Sequence, residues 1–319
     1  MKNVTVLVTG SGGDIGQSIV KILQQQDFVK KVVGTDIHDK HPSVLLCDAF
    51  YTVNRVTDSR YADEISRIIH THEIDLLIPV AEPELRQHLK ADTYSILVGR
   101  HPGLKVVLPN KLSLAVGFDK LRTAEYLKAK GIPTPTTVEA GDNPDLEYPF
   151  VLKDRYGSGS KVNHVVTTNR QYVFYQKEHS NLIQQQFLPG AEGEFTCGLY
   201  RSNGVVRSIT FKRELMGGYS NYGVVENSEK TTRLLEDIAT ALDLEGAINV
   251  QFRRVNGVDY VFEINPRFSS TVLFRHLFGF SDLIWSIMTV FEVPLPDYRA
   301  PANGGVFYKG FNEYITPAK

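Results

Sequence analysis

Two short stretches concentrate residue types suited to phosphate chemistry: Asn249-Val250-Gln251-Phe252 and Phe262-Glu263-Ile264-Asn265-Pro266-Arg267. In a β-strand, residues i and i+2 share a face, so Glu263 and Asn265 project together, Arg267 follows two further on, and a neighbouring strand can bring Gln251 beside them. Oxygen donors of this kind suit Mg²⁺, which is held by one or two carboxylates together with substrate phosphates and water. The plain alternative is a polar edge strand with a solvated Glu263. Upstream, Lys153 closes the apolar run Pro149-Phe150-Val151-Leu152 and is followed by Gly157-Ser158-Gly159-Ser160-Lys161. A lysine beside a glycine loop with free backbone N–H groups is the minimum for holding a polyphosphate such as that of ATP. The Gly-x4-Gly-Lys-Ser/Thr order of a P-loop is absent, and an ordinary hairpin turn would leave the same trace.

Weaker signals surround these. The extended run Ile183 to Leu188 can offer backbone groups to an adenine edge, and an acid of Glu192-Gly193-Glu194 can bond a ribose diol. Near the N-terminus, Gly10-x-x-Gly13-x-x-Gly16 between an apolar run and a helical pattern matches a dinucleotide-binding loop. Asp36 stands where a ribose-binding acid would sit, and Tyr126-x-x-x-Lys130 with Ser113 upstream mimics a dehydrogenase pair. An NAD(P)-dependent short-chain dehydrogenase or epimerase is therefore one alternative. Against it, Tyr126 and Lys130 run straight into the linker Gly131-Ile132-Pro133-Thr134-Pro135, and the glycines can serve strand-to-helix packing alone. Lys212-Arg213 and Arg275 are candidates for gripping a substrate carboxylate. The segment Met216 to Gly223, rich in glycine and tyrosine, reads either as a mobile substrate loop or as a long hairpin turn. No Ser-His-Asp or Cys-His arrangement is present, and His276 reads as a cleft-wall or core histidine.

The elements that must position these residues follow from periodicity. Val4 to Val8 is an apolar strand, followed by a helical pattern at Ile15, Ile19, Ile22 and Leu23; Val32-Val33 opens a second strand ending near Asp36. A helix at Tyr61, Ile65, Ile68 and Ile69, then strands at Leu76 to Ile78 and Val106 to Leu108, complete an alternation that implies a parallel sheet wrapped by helices. A helical stretch from Pro109-Asn110 to Lys130 follows. Beyond it come strands at 150–153, 162–167, 182–188, 194–200 and 205–212, helices around 169–178 and 228–243, and an antiparallel pair, 249–255 and 259–265, joined by Asn256-Gly257.

Length and composition bound the reading. The chain has 319 residues, room for about two domains and a cleft at roughly 150 residues each. A net charge of −1 gives no reason to expect nucleic acid, so any anion site must be local. Cys47 and Cys197 lie far apart in no metal or redox spacing, which suits a reducing compartment. No apolar run approaches the roughly 20 residues of a membrane span, and no signal-peptide core precedes the first glycines. The expectation is a cytoplasmic protein with no membrane partner.

Taken together, Asp119-Lys120, Lys153 with Gly157 to Ser160, Gln186-Phe187-Leu188-Pro189-Gly190 with Glu194, Asn249-Val250-Gln251 and Glu263 to Arg267 resemble the ATP-grasp superfamily, nearest to carbamoyl-phosphate-synthase-like carboxylate–amine ligases. Leu77-Ile78-Pro79 with Glu82 to Leu85, and the Gly131 to Pro135 linker, resemble the preATP-grasp half of such proteins. The resemblance implies an α/β chain: a Rossmann-like preATP-grasp domain over 1–109, then a two-subdomain α+β ATP-grasp region over 110–319, its smaller subdomain about 120–185 and its larger about 186–319. It makes Lys120 and Lys153 ATP-phosphate ligands and the loop Gly157, Ser158, Gly159, Ser160 a lid. Gln186, Phe187 and Leu188 would take adenine and Glu194 the ribose, with Glu192 left as its rival. Gln251, Glu263 and Asn265 would hold Mg²⁺ (or Mn²⁺), and Arg267 would meet the γ-phosphate or an acyl phosphate, acting with Lys153 in catalysis. A neutral amide at Gln251, where many relatives place an acid, weakens the second metal position. The implied reaction joins a small-molecule or sugar-acid carboxylate to an amine or ammonia, the ammonia free or supplied by a separate source, and a homodimer is compatible with it. A catalytically inactive ATP-binding regulatory protein is the remaining alternative.

Overall fold

The computed structural model describes residues 1, 3–157, 162–310 and 312–315. It opens with β1 (Val4–Thr9), buried at all six positions as the centre of a parallel sheet covered on both faces must be. Then come α1 (Asp14–Leu23), β2 (Val29–Asp36), α2 (Ser43–Leu46), β3 (Ala49–Thr52), α3 (Tyr61–His72), β4 (Leu76–Pro79), α4 (Glu82–Ala91), α5 (Thr93–Arg100) and β5 (Lys105–Val106). The strands lie parallel in the order β3-β2-β1-β4-β5. The chain therefore steps outward one way from β1 and returns to step out the other way through β4. That reversal leaves a crevice at the carboxyl ends of β1 and β4.

The glycines after β1 are required by packing at that crevice. Gly10 has φ +64° and lies against Ala81, and a Cβ on Gly16 would come within 2.6 Å of the Gly10 carbonyl oxygen and Ser11 Cα.

The helical stretch expected from 110 to 130 is two helices, α6 (Lys111–Gly117) and α7 (Lys120–Ala129). The break is chemical: Asp119 is extended, and its carboxylate accepts from the N–H groups of Leu121 and Arg122 as an N-cap. Next come β6 (Thr137–Glu139), β7 (Phe150–Asp154), β8 (Asn163–Val166), α8 (Asn169–Glu178) and β9 (Leu182–Gln186), whose strands make an antiparallel sheet in the order β6-β9-β7-β8. The strand expected to reach Leu188 thus ends at Gln186.

A six-stranded antiparallel sheet, in the order β14-β13-β10-β11-β12-β15, takes up the rest of the strands. It is built from β10 (Glu194–Ser202), β11 (Val205–Met216), β12 (Tyr219–Val225), β13 (Gly246–Val255), β14 (Val258–Asn265) and β15 (Val306–Tyr308), with α9 (Glu229–Ala241), α10 (Val272–Leu277) and α11 (Asp282–Val290) between. Both readings of 216–223 need correction. These residues are strand, closed by a tight turn at Gly217 (φ +59°) and Gly218 (φ +84°). The Asn256-Gly257 turn is as expected, with φ +50° and +70° fitting the twist of an antiparallel hairpin.

One core runs from Val6, Val8 and Ile19 into Tyr200, Phe211, Val272 and Trp285, so the parallel sheet and the six-stranded sheet share an interior. The four-stranded sheet has a separate cluster around Phe150, Leu152, Val166 and Tyr172. The Gly16 contact sets a stability test. Gly16→Ala forces the first turn of α1 off the loop and should cost about 1–3 kcal/mol, the usual penalty for overpacking. Thermal denaturation measures it, and an unchanged midpoint would show that the loop yields freely.

Candidate functional site

A cavity of 490 Å³ lies between the four-stranded and six-stranded sheets, and its wall includes Lys120, Lys153, Gly157, Glu194 and Glu263. Gln186, Phe187 and Leu188 line it along the link between the sheets. Ser158, Gly159 and Ser160 lie outside the described residues.

Lys153 Nζ donates to Gln185 Oε1 at 2.7 Å and sits 5.0 Å from the centre of the Phe262 ring. Desolvation pushes its ammonium down to about 8, against the pull of the nearby Glu263 carboxylate and with the repulsion of Lys120 and Arg253. Lys120 is the first residue of α7, and its ammonium donates to the Gly157 carbonyl and lies 3.8 Å from Glu263 Oε1. Arg155 grips the capping Asp119 through two bonds, 2.9 Å from Nε and 2.8 Å from Nη2, and so ties the start of α7 to the end of β7.

The two candidate ribose acids separate cleanly. Glu192 is exposed and accepts from the N–H groups of Asn256 and Gly257, capping the β13–β14 turn. Glu194 faces the cavity, held by Arg213 at 2.7 Å and Arg253 at 2.8 Å. Burial opposes its ionisation, but the two guanidiniums hold its carboxyl below the usual range.

Gln251 and Glu263 are cross-strand partners, as are Asn249 and Asn265. The register slips between Gln251 and Phe252, leaving Phe262 as an extra residue in β14. Such a bulge re-aims side chains, and here the successive residues Phe262 and Glu263 both line the cavity. Gln251 Oε1 accepts from Arg213 at 2.9 Å. Asn265 Oδ1 accepts from Arg267 at 3.3 Å, and Arg267 also donates to the Phe268 carbonyl and lies 3.8 Å from Glu82. One carboxylate and two amide oxygens make a hard, all-oxygen donor set that fits Mg²⁺ sharing its shell with phosphate oxygens. Among the described residues no group of three His, Cys, Asp or Glu could hold a metal unaided.

A second cavity, of 660 Å³, begins on the other side of Gln251 and Glu263 and reaches the glycine loop. Asn265 and Arg267 line its near end, and Gly10, Gly12, Asp14 and Asp36 its far end. Glu82, Pro83, Arg213, Leu215, Gln251 and Glu263 line both cavities.

Other expectations are corrected. Arg275 is fully buried, 2.9 Å from Asp282, in a core pair where burial lowers the arginine and pushes Asp282 up to about 6. It cannot touch a substrate. Lys212 is exposed, leaving only Arg213 of that pair in the cleft. The Tyr126 hydroxyl donates to the Ala241 carbonyl at 2.6 Å and Ser113 to Asn110, so neither addresses the glycine loop. Asp36 accepts from the Gly12 N–H at 2.8 Å and so occupies the amide that a dinucleotide phosphate would need. His276 is half-buried against Ser281, and burial pushes both Cys47 and Cys197 up to about 12, far from a nucleophile's range. Sequence reading missed Arg253, though it stands two residues beyond Gln251 on the same face. It also missed Gln185 and the whole second cavity, which only the three-dimensional meeting of β1, β4 and β14 creates.

Residues 118–271 match the ATP-grasp domain family, and residues 6–94 the PylC-like N-terminal domain. The large chain of carbamoyl phosphate synthase from Thermomicrobium roseum is 27% identical over 194 residues, covering 54% of this chain and 18% of the relative. That from Thermoplasma acidophilum is 24% identical over 250 residues, covering 68% and 24%. The chain thus spans about a fifth to a quarter of the length of these relatives. Among solved structures, N5-carboxyaminoimidazole synthetase from Staphylococcus aureus complexed with ADP superposes with TM-score 0.74 at 20% identity, over 93% of this chain and 80% of that one. L-amino acid ligase from Bacillus licheniformis superposes with TM-score 0.67 at 17% identity, over 90% and 74%.

The depressed Lys153 gives a pH test. Its ammonium is charged below about 8 and lost above it, so affinity for Mg-ADP should be full at lower pH and fall as pH rises through that value. Lys153→Arg should abolish the fall. Calorimetric titration from about pH 7 to about 9.5 reads it, within the range over which a perturbed lysine titrates, and a flat wild-type profile would remove Lys153 from the phosphate site.

Proposed function

We propose, from the premise that the chain belongs to the ATP-grasp superfamily, that it is an ATP- and Mg²⁺-dependent ligase joining a carboxylate to an amine through an acyl phosphate. The observation that carries this reading is the seam between the cavities: Glu263 and Gln251 line both, with Lys120 and Lys153 on one side and Arg267 on the other. A triphosphate in the smaller cavity would end where the larger one begins. We divide the chain accordingly, 1–109 and 110–319, with the nucleotide between the sheets of the second part.

In this reading a carboxylate oxygen attacks the γ-phosphorus in line, ADP leaves, and the amine then displaces phosphate from the acyl carbon. Phosphoryl transfer asks the protein mainly for positioning and charge compensation. ATP brings about four negative charges and the nucleophile one more. Lys120 and Lys153 offset the first from the nucleotide side, and Arg267 meets the incoming carboxylate. Mg²⁺ held by Glu263, Asn265 and Gln251 would supply further charge neutralisation on the phosphates. Glu194 would take the ribose, and the segment Gln186 to Leu188, which lines the same cavity, the adenine.

Glu263→Gln keeps the shape of the site and removes its carboxylate charge. Mg-dependent ADP formation, assayed over a panel of carboxylates and amines, should fall by about two orders of magnitude or more, while ADP still binds. Full turnover in this variant would place the metal elsewhere. Nucleotide binding with no ADP release on any member of the panel would favour an inactive regulatory protein, and a higher melting temperature with NAD(P) than with Mg-ATP would favour the dehydrogenase.

A further inference from the structure

Arg86 has no part in the chemistry proposed above, yet it stands between the two sets of charge which that chemistry needs. We propose that Arg86 is a positioning residue: it holds the backbone that carries Lys120 at a fixed place relative to Arg267, and so keeps the phosphate side and the acceptor side of the cleft aligned. This inference rests on the ligase reading and adds a residue to it.

Lys120 depends on the segment that follows β7. Its backbone N–H donates to the Arg155 carbonyl at 3.1 Å, and its ammonium donates to the Gly157 carbonyl. The residue between those two carbonyls is Tyr156, and its own carbonyl accepts from Arg86 Nη2 at 2.7 Å. The Arg86 guanidinium also lies over the ring of Phe118, 4.5 Å from its centre, and Phe118 is buried two residues before Lys120. From α4, Arg86 therefore touches both the segment that carries Lys120 and the segment that supports it.

Its other contacts face the acceptor side. Arg86 Nε and Nη2 donate to Glu82 Oε1 at 3.0 and 2.6 Å, and Glu82 Oε2 lies 3.8 Å from Arg267 Nη2. Glu82 lines both cavities. The path from Lys120 through Gly157, Tyr156, Arg86 and Glu82 to Arg267 is thus continuous, each link a peptide bond, a hydrogen bond or an ion pair.

A glutamate and an arginine four residues apart on a helix ordinarily support that helix and little else. This pair differs in that the Arg86 side chain is only 25% exposed and reaches a carbonyl 70 residues further along the chain. The planar fork of a guanidinium can serve the carboxylate and the carbonyl together, which a single ammonium does poorly. In the ligase reading the γ-phosphate lies between Lys120 and Arg267, so it is the group that feels any change in their separation. In-line transfer is sensitive to such a change, since a misplacement of about 1 Å can cost roughly a hundredfold. The rest of the nucleotide meets only the Lys120 side.

The test measures binding of Mg-ADP and of the magnesium complex of adenylyl imidodiphosphate, an ATP analogue with a non-hydrolysable γ-phosphoryl group, to the full chain by calorimetry, with thermal denaturation alongside. Arg86→Gln should leave ADP affinity within about twofold and weaken the analogue about fivefold or more, inside the range of coupling between residues in one network. Lys120→Ala should weaken the analogue by itself, and adding Arg86→Gln to it should cost little more, because Arg86 acts through Lys120. Arg86→Lys, which keeps a charge beside Glu82 but loses the fork, takes the place of Arg86→Gln in both experiments if that variant does not fold. A residue that only stabilised α4 would lower the melting temperature and leave the ratio of the two affinities unchanged. That result, or additive losses in the double variant, overturns the inference alone, whereas absence of ADP binding to the unaltered chain overturns the ligase reading and this inference with it.

Discussion

Everything in the cleft hangs on one register, the pairing of β13 with β14 that sets Gln251 opposite Glu263. The residues between and beside them point the other way: Val250, Phe252, Val261 and Ile264 are all essentially buried in the core under α7 and α9. A slip of one residue would exchange the two faces, exposing four large apolar side chains at roughly 1.5–3 kcal/mol each. The turn at Asn256-Gly257 fixes the starting point of the register, and Glu192, capping both its N–H groups, holds the turn from the neighbouring segment. The same pairing is thus secured by packing at one end and by hydrogen bonds at the other. The bulge at Phe262 is the single irregularity this hairpin admits, and it places an aromatic ring under Lys153 without disturbing Glu263.

Charge in the cleft is divided by residue type. The arginines make directional contacts: Arg213 and Arg253 hold both oxygens of Glu194, and Arg155 holds both oxygens of Asp119. A planar guanidinium suits such fixed pairings. The lysines instead act as compact point charges, each with one hydrogen bond, to the Gly157 carbonyl or to Gln185, Lys120 also lying 3.8 Å from Glu263. The frame of the site is therefore arginine and carboxylate, and in the proposed reading the ammonium groups are the ones left to meet phosphate.

The parallel sheet and the Asn256-Gly257 hairpin were legible in the sequence because each rests on local periodicity or on turn chemistry, whereas the gathering of Lys120, Lys153, Glu194, Gln251 and Glu263 around one cavity was implied by the ATP-grasp resemblance. What was not legible came from long-range meetings. Nothing in the spacing of Arg275 says that Asp282 will neutralise it in the core. The break before Lys120 was hidden because Asp119 has a helix on either side, and only its side-chain bonds identify it as a cap. The run 216–223 looked like a loop because glycines and tyrosines suit loops, whereas here two glycines make the turn and the tyrosines belong to strand residues. The glycine loop has the spacing of a nucleotide cradle, but the packing alternative fits it, since Gly10 and Gly16 are set by contacts with Ala81 and with the loop itself.

The core shared by the parallel and six-stranded sheets has a consequence for how such a protein can diversify. Because Val6, Val8 and Ile19 belong to one continuous apolar cluster with Tyr200, Phe211 and Trp285, the two sheets share an interior whatever happens at their loops. The far wall of the larger cavity comes from the carboxyl ends of β1 to β4 and the turns that follow them, of which Glu82 and Pro83 line both cavities and Arg86, one turn on, lines the smaller alone. Drift in those turns can reshape one chamber while the other keeps its geometry. The architecture thus separates inheritance from innovation along a seam two residues deep on the N-terminal side.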